Sequence, residues 1–377
     1  MDAPDPAVST SYKRLFQRAL AAAPDRLHFA AHSHHLWPDA SYVGQIAAWD
    51  DAARLADHKW ERVMGEIWPA AQSHIAAELK LPDPATIVFA PNTHELLLRI
   101  VSALPRRPLR ILASDGEFHS FRRQSMRWQE SGAATVDRVP LDRLLDAART
   151  GDYDLIFTSH VQFGTGHVFE GIAELAALAG PEGPWVVIDG YHGFMAVETD
   201  LSAVADSIFY LAGSYKYAMA GEGCAFLHAP SGFGPRPEIT GWYAEFDDIS
   251  LPPDRIGYAP DGRRFLGATF DPSGLYRFVA VRDMLAGEGL TTASIAAHVA
   301  ALRAQVLARL PLDAKLLNPG SPARFLALRS PYAARWEAEL GEQDIITDVR
   351  GDVLRIGFGL YQDRRDVDRL IEALSKL

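Results

Sequence analysis

The sequence has a single cysteine among its 377 residues, Cys224, which excludes an internal disulfide and a metal site built from several thiolates. That usage fits a reducing compartment, and the cytoplasm is the expected one. No run of apolar residues is long enough to span a bilayer. Residues 1–24 mix Asp2, Asp5, Lys13, Arg14 and Arg18 with short apolar stretches, unlike the continuous apolar stretch of a secretory signal. Positive charge is scarce as well. Against 48 Asp and Glu stand 37 Lys and Arg, a net charge of −11, and no basic block offers a track for phosphates. Nucleic acid and membrane are therefore not expected as partners, and a small molecule is.

What is present is ample apolar material: 48% of the residues are hydrophobic, enough for a large domain and a smaller one. Short β-rich runs at 87–90, 109–113, 135–139, 155–159, 185–189, 208–211 and 225–228 are bounded by Gly, Pro and Asp. Helix-like stretches at 95–104, 120–131 and 171–179 lie between them, so an α/β fold with a seven-stranded, mostly parallel sheet is expected. Runs such as Trp185-Val186-Val187-Ile188 are apolar without alternation, as strands covered on both faces are. Residues 235–272, rich in Gly, Pro and Asp, read as a long functional loop or domain connection. Beyond it, helices at 273–286, 292–310 and 366–377 and strands at 325–328 and 353–357 predict a small α/β domain. The expected division is an N-terminal segment 1–50 serving the small domain and the site mouth, a large domain 51–265 and a small domain 266–377.

The chemistry concentrates in Ile188-Asp189-Gly190-Tyr191-His192-Gly193 and Ala212-Gly213-Ser214-Tyr215-Lys216-Tyr217. A carboxylate closing one buried strand and a lysine just past the next would both reach the sheet's C-terminal edge, where open α/β sheets bind ligands. An ionised Asp there is costly without a cation or several hydrogen bonds to meet it. Pyridoxal 5'-phosphate (PLP) needs this pair: a lysine amine for its aldehyde and an acid to keep its pyridine nitrogen protonated. Taken singly, Asp189 reads as a turn or helix cap and Lys216 as a solvated surface lysine; the glycines and Tyr215 around them favour the joint reading.

On these residues the chain resembles the class V aminotransferases of PLP fold type I, the aspartate-aminotransferase-like fold, and within them the kynureninases. The resemblance covers Asp189, His192, Tyr215-Lys216-Tyr217 and Gly221-Glu222-Gly223, then Ser159-His160-Val161-Gln162-Phe163-Gly164-Thr165-Gly166 and Pro91-Asn92-Thr93-His94 upstream. It implies Lys216 as the Schiff-base lysine, Asp189 on the pyridine nitrogen, and His192, Tyr215 and Gln162 around the cofactor. Asn92 and Thr93 fall in the family's phosphate-binding turn, before a helix whose free N–H groups attract phosphate, although a polar turn there is also an ordinary N-cap. Phe118 is the implied stacking ring, with a plain core phenylalanine as the competing reading. Gly241-Trp242 and Thr269 resemble segments that reach the cofactor phosphate from a neighbouring subunit, which implies a homodimer with composite sites. Arg355, inside an apolar strand, is implied to bind a substrate carboxylate, with an internal salt bridge as the alternative.

His28, His32, His34 and His35 cluster before Trp37-Pro38, but no acidic or thiol ligand stands between them at zinc spacing, so no metal is expected. The resemblance places this stretch at the substrate mouth, with His34 as a substrate contact. The implied activity is a kynureninase-like hydrolysis of a Cβ–Cγ bond in an amino acid, giving alanine and an aromatic acid, with Lys216 as base and Tyr215 as proton donor. Transamination is the alternative, and a C–S lyase or desulfurase type a weaker one, because Cys224 begins an apolar strand. Two departures bear on substrate: the family's Phe-Pro-Ser/Thr-Asp is here Phe118-His119-Ser120-Phe121, and its Asn-Ser-Leu-Gly is His32-Ser33-His34-His35.

Overall fold

The computed structural model describes residues 11–248 and 254–377; Asp2, Asp5 and residues 249–253 of the long loop lie outside the described residues. The seven apolar runs form strands: β1 (Ile87–Ala90), β2 (Leu109–Ser114), β3 (Ala134–Val139), β4 (Leu155–Ser159), β5 (Trp185–Asp189), β6 (Ile208–Gly213) and β7 (Ala225–His228). They make one sheet in the order β1-β7-β6-β5-β4-β2-β3. All pairs are parallel except those of β7, which runs against both β1 and β6. Every residue of β1, β4, β6 and β7 is buried, as strands covered on both faces must be.

Parallel pairing carries strand ends to one edge. Ser159 stands beside Asp189 and Asp189 beside Leu211. The reversed β7 begins at that edge too, with Ala225 opposite both Gly213 and Ala90. The ends of four strands and the start of a fifth thus converge on one rim.

Helices α1 (Asp39–Leu55), α2 (Trp68–Leu79), α3 (Thr93–Ser102), α4 (His119–Glu130) and α5 (Ser273–Gly287) accompany this sheet, and α6 (Thr292–Ala308), α7 (Ala333–Gly341) and α8 (Arg364–Leu374) follow. Their starts are chemically marked. The Asn92 carboxamide accepts from Glu95 N–H at 3.0 Å ahead of α3, and Asp363 accepts from Arg365 and Asp366 N–H ahead of α8. Such caps contribute about 1 kcal/mol each. The helix expected at 171–179 contracts to Ile172–Ala176, because the chain turns at Leu178 and Ala179 into Gly180-Pro181. α1 and α2 were not anticipated.

A second sheet, β8 (Lys315–Leu316), β9 (Phe325–Arg329), β10 (Asp348–Arg350) and β11 (Val353–Gly357), is antiparallel in the order β10-β11-β9-β8. Its apolar face, Leu326, Leu328, Leu354 and Ile356, packs with Val299, Trp336 and Leu370 in a separate core that also takes in Leu27 and Phe29. Residues Leu27–His28 pair in parallel with Ile345–Ile346, tying the N-terminal segment to it. Among the described residues no single helix is long and apolar enough to cross a membrane.

Candidate active site

A cavity of about 270 Å3 opens at the convergent rim of the large sheet. Asn92, Thr93, Phe118, Asp189, His192, Tyr215 and Lys216 all line it. Lys216 lies three residues past β6 in a loop closed on itself: Ser214 Oγ donates to the Gly221 carbonyl at 2.5 Å and Ala220 N–H to the Ser214 carbonyl at 2.9 Å. Gly221 at φ +72° suits that turn, and a Cβ there would meet the Trp37 ring at 2.2 Å. The lysine is buried, with its Nζ in a hydrogen bond 2.6 Å from His192 Nε2, while His192 Nδ1 has no partner.

Burial pushes the Lys216 amine down to about 7 against the pull of Asp189, and pushes the His192 ring well below its ordinary value. Burial likewise raises the Asp189 carboxyl, opposed by the Tyr191 N–H that donates to its Oδ1 at 2.9 Å and by Lys216. Acid and base are each driven toward neutrality, as happens where charges are enclosed with too few partners.

Behind the rim, Glu117 is buried and accepts from Ser114 Oγ (2.5 Å), Ser159 Oγ (2.5 Å), Ser159 N–H (3.0 Å) and Gln162 Nε2 (3.3 Å). Burial still pushes it up to about 7. Gln162 therefore stands behind the lining, fixed also to Ser114, between Val161 and Phe163, which face the cavity.

The remaining expected residues divide. His34 is exposed, stacked on Tyr215 with centroids 4.9 Å apart and planes 19° apart. The other histidines of its cluster diverge: His28 meets the Tyr361 hydroxyl, His32 stacks on Phe325, and His35 meets the Leu36 carbonyl. Arg355 is buried and already paired, donating from Nε to Asp348 at 2.7 Å, from NH2 to the same oxygen, and from NH1 to the Phe163 carbonyl at 2.6 Å. The internal salt bridge left open by the sequence is thus present. Trp242 and Thr269 do not line the cavity; the Trp242 indole donates to Thr269 Oγ1 at 3.2 Å, and the Trp242 side chain is largely exposed. Asn92 caps α3, the ordinary role foreseen for it, while still facing the cavity.

The sequence reading gave no role to Tyr191, Glu117, Ser159 or Asp348. Tyr191 stood inside the motif, between Asp189 and His192, and was quoted there without a role of its own. Asp348 was findable from the Arg350-Gly351-Asp352 turn, with Gly351 at φ +59°, which folds β10 onto β11 and sets Asp348 opposite Arg355.

The architecture is PLP fold type I: an α/β large domain around a seven-stranded, mostly parallel sheet, with an additional small C-terminal sheet. A cystine C–S lyase, C-DES, solved as a mutant with glycine covalently linked to its PLP cofactor, superposes with a TM-score of 0.81 at 18% identity, covering 98% of this chain and 100% of its own. The cysteine desulfurase CsdA of Escherichia coli gives a TM-score of 0.79 at 19% identity over 97% of both chains. By sequence, the chain is 28% identical to isopenicillin N epimerase of Streptomyces clavuligerus across 86% of this chain and 88% of that protein. It is 26% identical to a probable cysteine desulfurase of Pseudomonas aeruginosa across 85% and 86%. No family model matches it.

Proposed function

We propose that the chain is a PLP-dependent enzyme acting on an amino acid, and that its reaction is a kynureninase-type hydrolysis of a Cβ–Cγ bond. The carrying observation is that the buried Lys216 and the half-buried Asp189 line one cavity at the sheet rim, where burial displaces both toward neutrality. The residues fit the cofactor on their own chemistry. Asp189 lacks a full cationic partner, which a protonated pyridine nitrogen supplies, and His192 Nδ1 is a buried nitrogen without a hydrogen bond. Thr93 at the start of α3 offers helix N–H groups to a phosphate, and Phe118 offers a ring 5.6 Å from the lysine amine. The relatives named above, including a fold neighbour solved with PLP, support this reading.

When bound, PLP supplies an aldehyde for amine exchange and a ring that withdraws electrons from the substrate α-carbon. Lys216, with an amine near neutrality at about 7, takes the α-proton. Water adds at the γ-carbonyl, the Cβ–Cγ bond breaks, and Tyr215, kept protonated by burial, gives its proton to the β-carbon. Lys216 returns its proton to the α-carbon, and alanine and an aromatic acid leave. Arg355, held by Asp348 and by the carbonyl of the cavity-lining Phe163, is the arginine the family resemblance offers for a substrate carboxylate, and it would have to give up one of these bonds to take it.

Exposed Trp242 and Ile239, with Tyr42, Val43, Ile46 and Trp49 on the outer side of α1, support the homodimer in which Trp242 and Thr269 serve a partner's site.

One observation favours transamination as a second reading. Where kynureninases carry an acid, Phe121 is buried and stacked on Phe157 at 3.9 Å, so no carboxylate stands there. A desulfurase-type reaction is not favoured, because Cys224 is buried and its thiol is pushed up to about 12. The test is a visible spectrum of the purified protein with PLP, followed by product analysis with L-kynurenine. Release of anthranilate and alanine establishes the reading. A bound cofactor that leaves kynurenine intact, or yields its keto acid, moves the assignment to amino transfer, and no lysine-dependent cofactor binding at all removes it.

A further inference from the structure

Lys216 is held from behind as well as from within its own loop. Inside the loop, Met219 N–H donates to the Lys216 carbonyl at 3.0 Å, and Met219 itself stands at φ +58°. A residue with a Cβ is strained there, and such a conformation persists only where its surroundings impose it. The imposing group is Arg277, buried near the start of α5. Its Nε donates to the Ala220 carbonyl at 2.8 Å and its NH2 to the Glu222 carbonyl, so one guanidinium grips both sides of Gly221. Its NH1 donates to the Gln45 carboxamide of α1 and, at 3.2 Å, to the Ser273 hydroxyl. Trp37 closes the outer side: the guanidinium carbon lies 5.2 Å from its ring centre, and a Cβ on Gly221 would strike the same ring. Arg264 is a buried arginine of the same kind. Its Nε donates to the Phe233 carbonyl at 2.9 Å, its NH2 to Pro230 and Phe233 carbonyls at 2.7 Å, and its NH1 to the Asp261 carbonyl at 2.7 Å. Pro230 and Phe233 lie past the far end of β7, away from the rim. Both arginines tie down backbone, and Arg277 alone of the two ties down the loop that carries Lys216.

We propose that Arg277 is a positioning residue of this site, clamping the 214–223 loop so that the Lys216 amine stays enclosed at the cavity beside His192. The inference rests on Lys216 being the group that takes the cofactor, as argued above. The amine has His192 Nε2 at 2.6 Å and the ring centres of Tyr191, Phe118 and Tyr215 at 4.8, 5.6 and 5.7 Å. Asp189 acts on its charge from the neighbouring strand end, and Arg355, Asp348 and Arg350 from the small sheet. Enclosure among these groups is what holds the amine down at about 7. A loop released from Arg277 admits water, and the amine then returns toward the ordinary lysine value.

The test compares cofactor-free wild type, Arg277→Gln and Arg264→Gln in two ways: hydrogen exchange of the 213–223 segment, and the pH dependence of the rate at which each forms the lysine-dependent visible band with PLP. Arg277→Gln loses charge-assisted bonds to two loop carbonyls, so exchange across the loop should speed by about tenfold or more. The midpoint of band formation should move upward by on the order of one pH unit. Arg264→Gln should leave both as in wild type, whatever it costs in stability. If Arg277→Gln does not fold, Arg277→Lys keeps the charge but not the fork, and should show both changes in smaller measure. Wild-type exchange of the loop in the Arg277 variant overturns the proposal, as does equal loosening by Arg264→Gln. Faster exchange with an unmoved band midpoint also overturns it, because Arg277 is then a support of the fold and nothing more. If the exchange contrast holds but no protein, wild type included, forms a lysine-dependent band, the clamp stands and the functional reading falls.

Discussion

Two of the acid–base pairs among the described residues, each joining a buried cation to a half-buried carboxyl, are solved differently. In the small sheet, Arg355 and Asp348 are register partners on β11 and β10. Burial resists the Asp348 charge, yet His32 and Arg355 hold its carboxyl down at about 2, and Arg350 adds a contact at 2.9 Å. At the rim of the large sheet, burial wins: Asp189 is raised and Lys216 falls to about 7. The first pair is completed by the protein alone. The second is left short of partners around a cavity, which is the condition under which a ligand's own charges complete the set.

The largest test of that contrast is Lys216→Ala. Under the proposed function it should remove the lysine-dependent visible band and lower turnover by at least about 10^3-fold, as loss of an essential nucleophile and base does. In the cofactor-free protein the same change should not destabilise. Its pH signature follows from the sign of the displacement. Between about 7 and the ordinary lysine value the folded state holds fewer protons than the unfolded one, so wild-type stability rises with pH across that window, and Lys216→Ala flattens the rise. A wild-type curve that falls there breaks the argument.

Next come the two acids. Asp348→Asn leaves Arg355 buried without its anion and should cost about 3 kcal/mol in urea unfolding. Asp189→Asn removes a carboxyl that burial already disfavours, so the cofactor-free protein should keep its stability while PLP affinity drops. Equal losses from both would show that the rim pair is as complete as the other. Glu117→Gln is a subtler case, because four donors surround a carboxyl that burial nonetheless raises from 4.5 to about 7. The folded state therefore retains a proton that the unfolded state has lost between those values, and wild-type stability falls as pH rises through them. The variant should lose that fall, on the order of 3 kcal/mol across the window.

How much of this was legible depended on how local the signal was. The strands at 87–90, 155–159, 185–189 and 225–228 have the expected bounds, because each is a short apolar run ended by Gly, Pro, Asp or a polar turn. Asp189 and Lys216 were legible because two adjacent strand ends carried them. α1 was not, since Tyr42, Val43, Ile46 and Trp49 face outward and blur the one-sided pattern that marks a surface helix. Nor was the fate of Arg355, whose partner comes through a hairpin register rather than a motif. The kynureninase-specific part of the reading came from likeness of segments, and Phe121 shows where such likeness stops: the position packs on Phe157 instead of presenting an acid.

The smallest expected effect separates the rim from its mouth. His34 is exposed and touches the site only by stacking on Tyr215, with Glu222 3.8 Å from its Nε2. An exposed side chain of this kind contributes little to stability, so His34→Ala should change unfolding free energy by no more than about 0.5 kcal/mol. If His34 serves the substrate mouth, as the resemblance implies, its effect should fall on KM for an amino-acid substrate rather than on kcat. A fall in kcat with KM unchanged would instead put His34 with the Tyr215 phenol in the reacting set, and would move the boundary between the enclosed rim and its mouth outward by one residue.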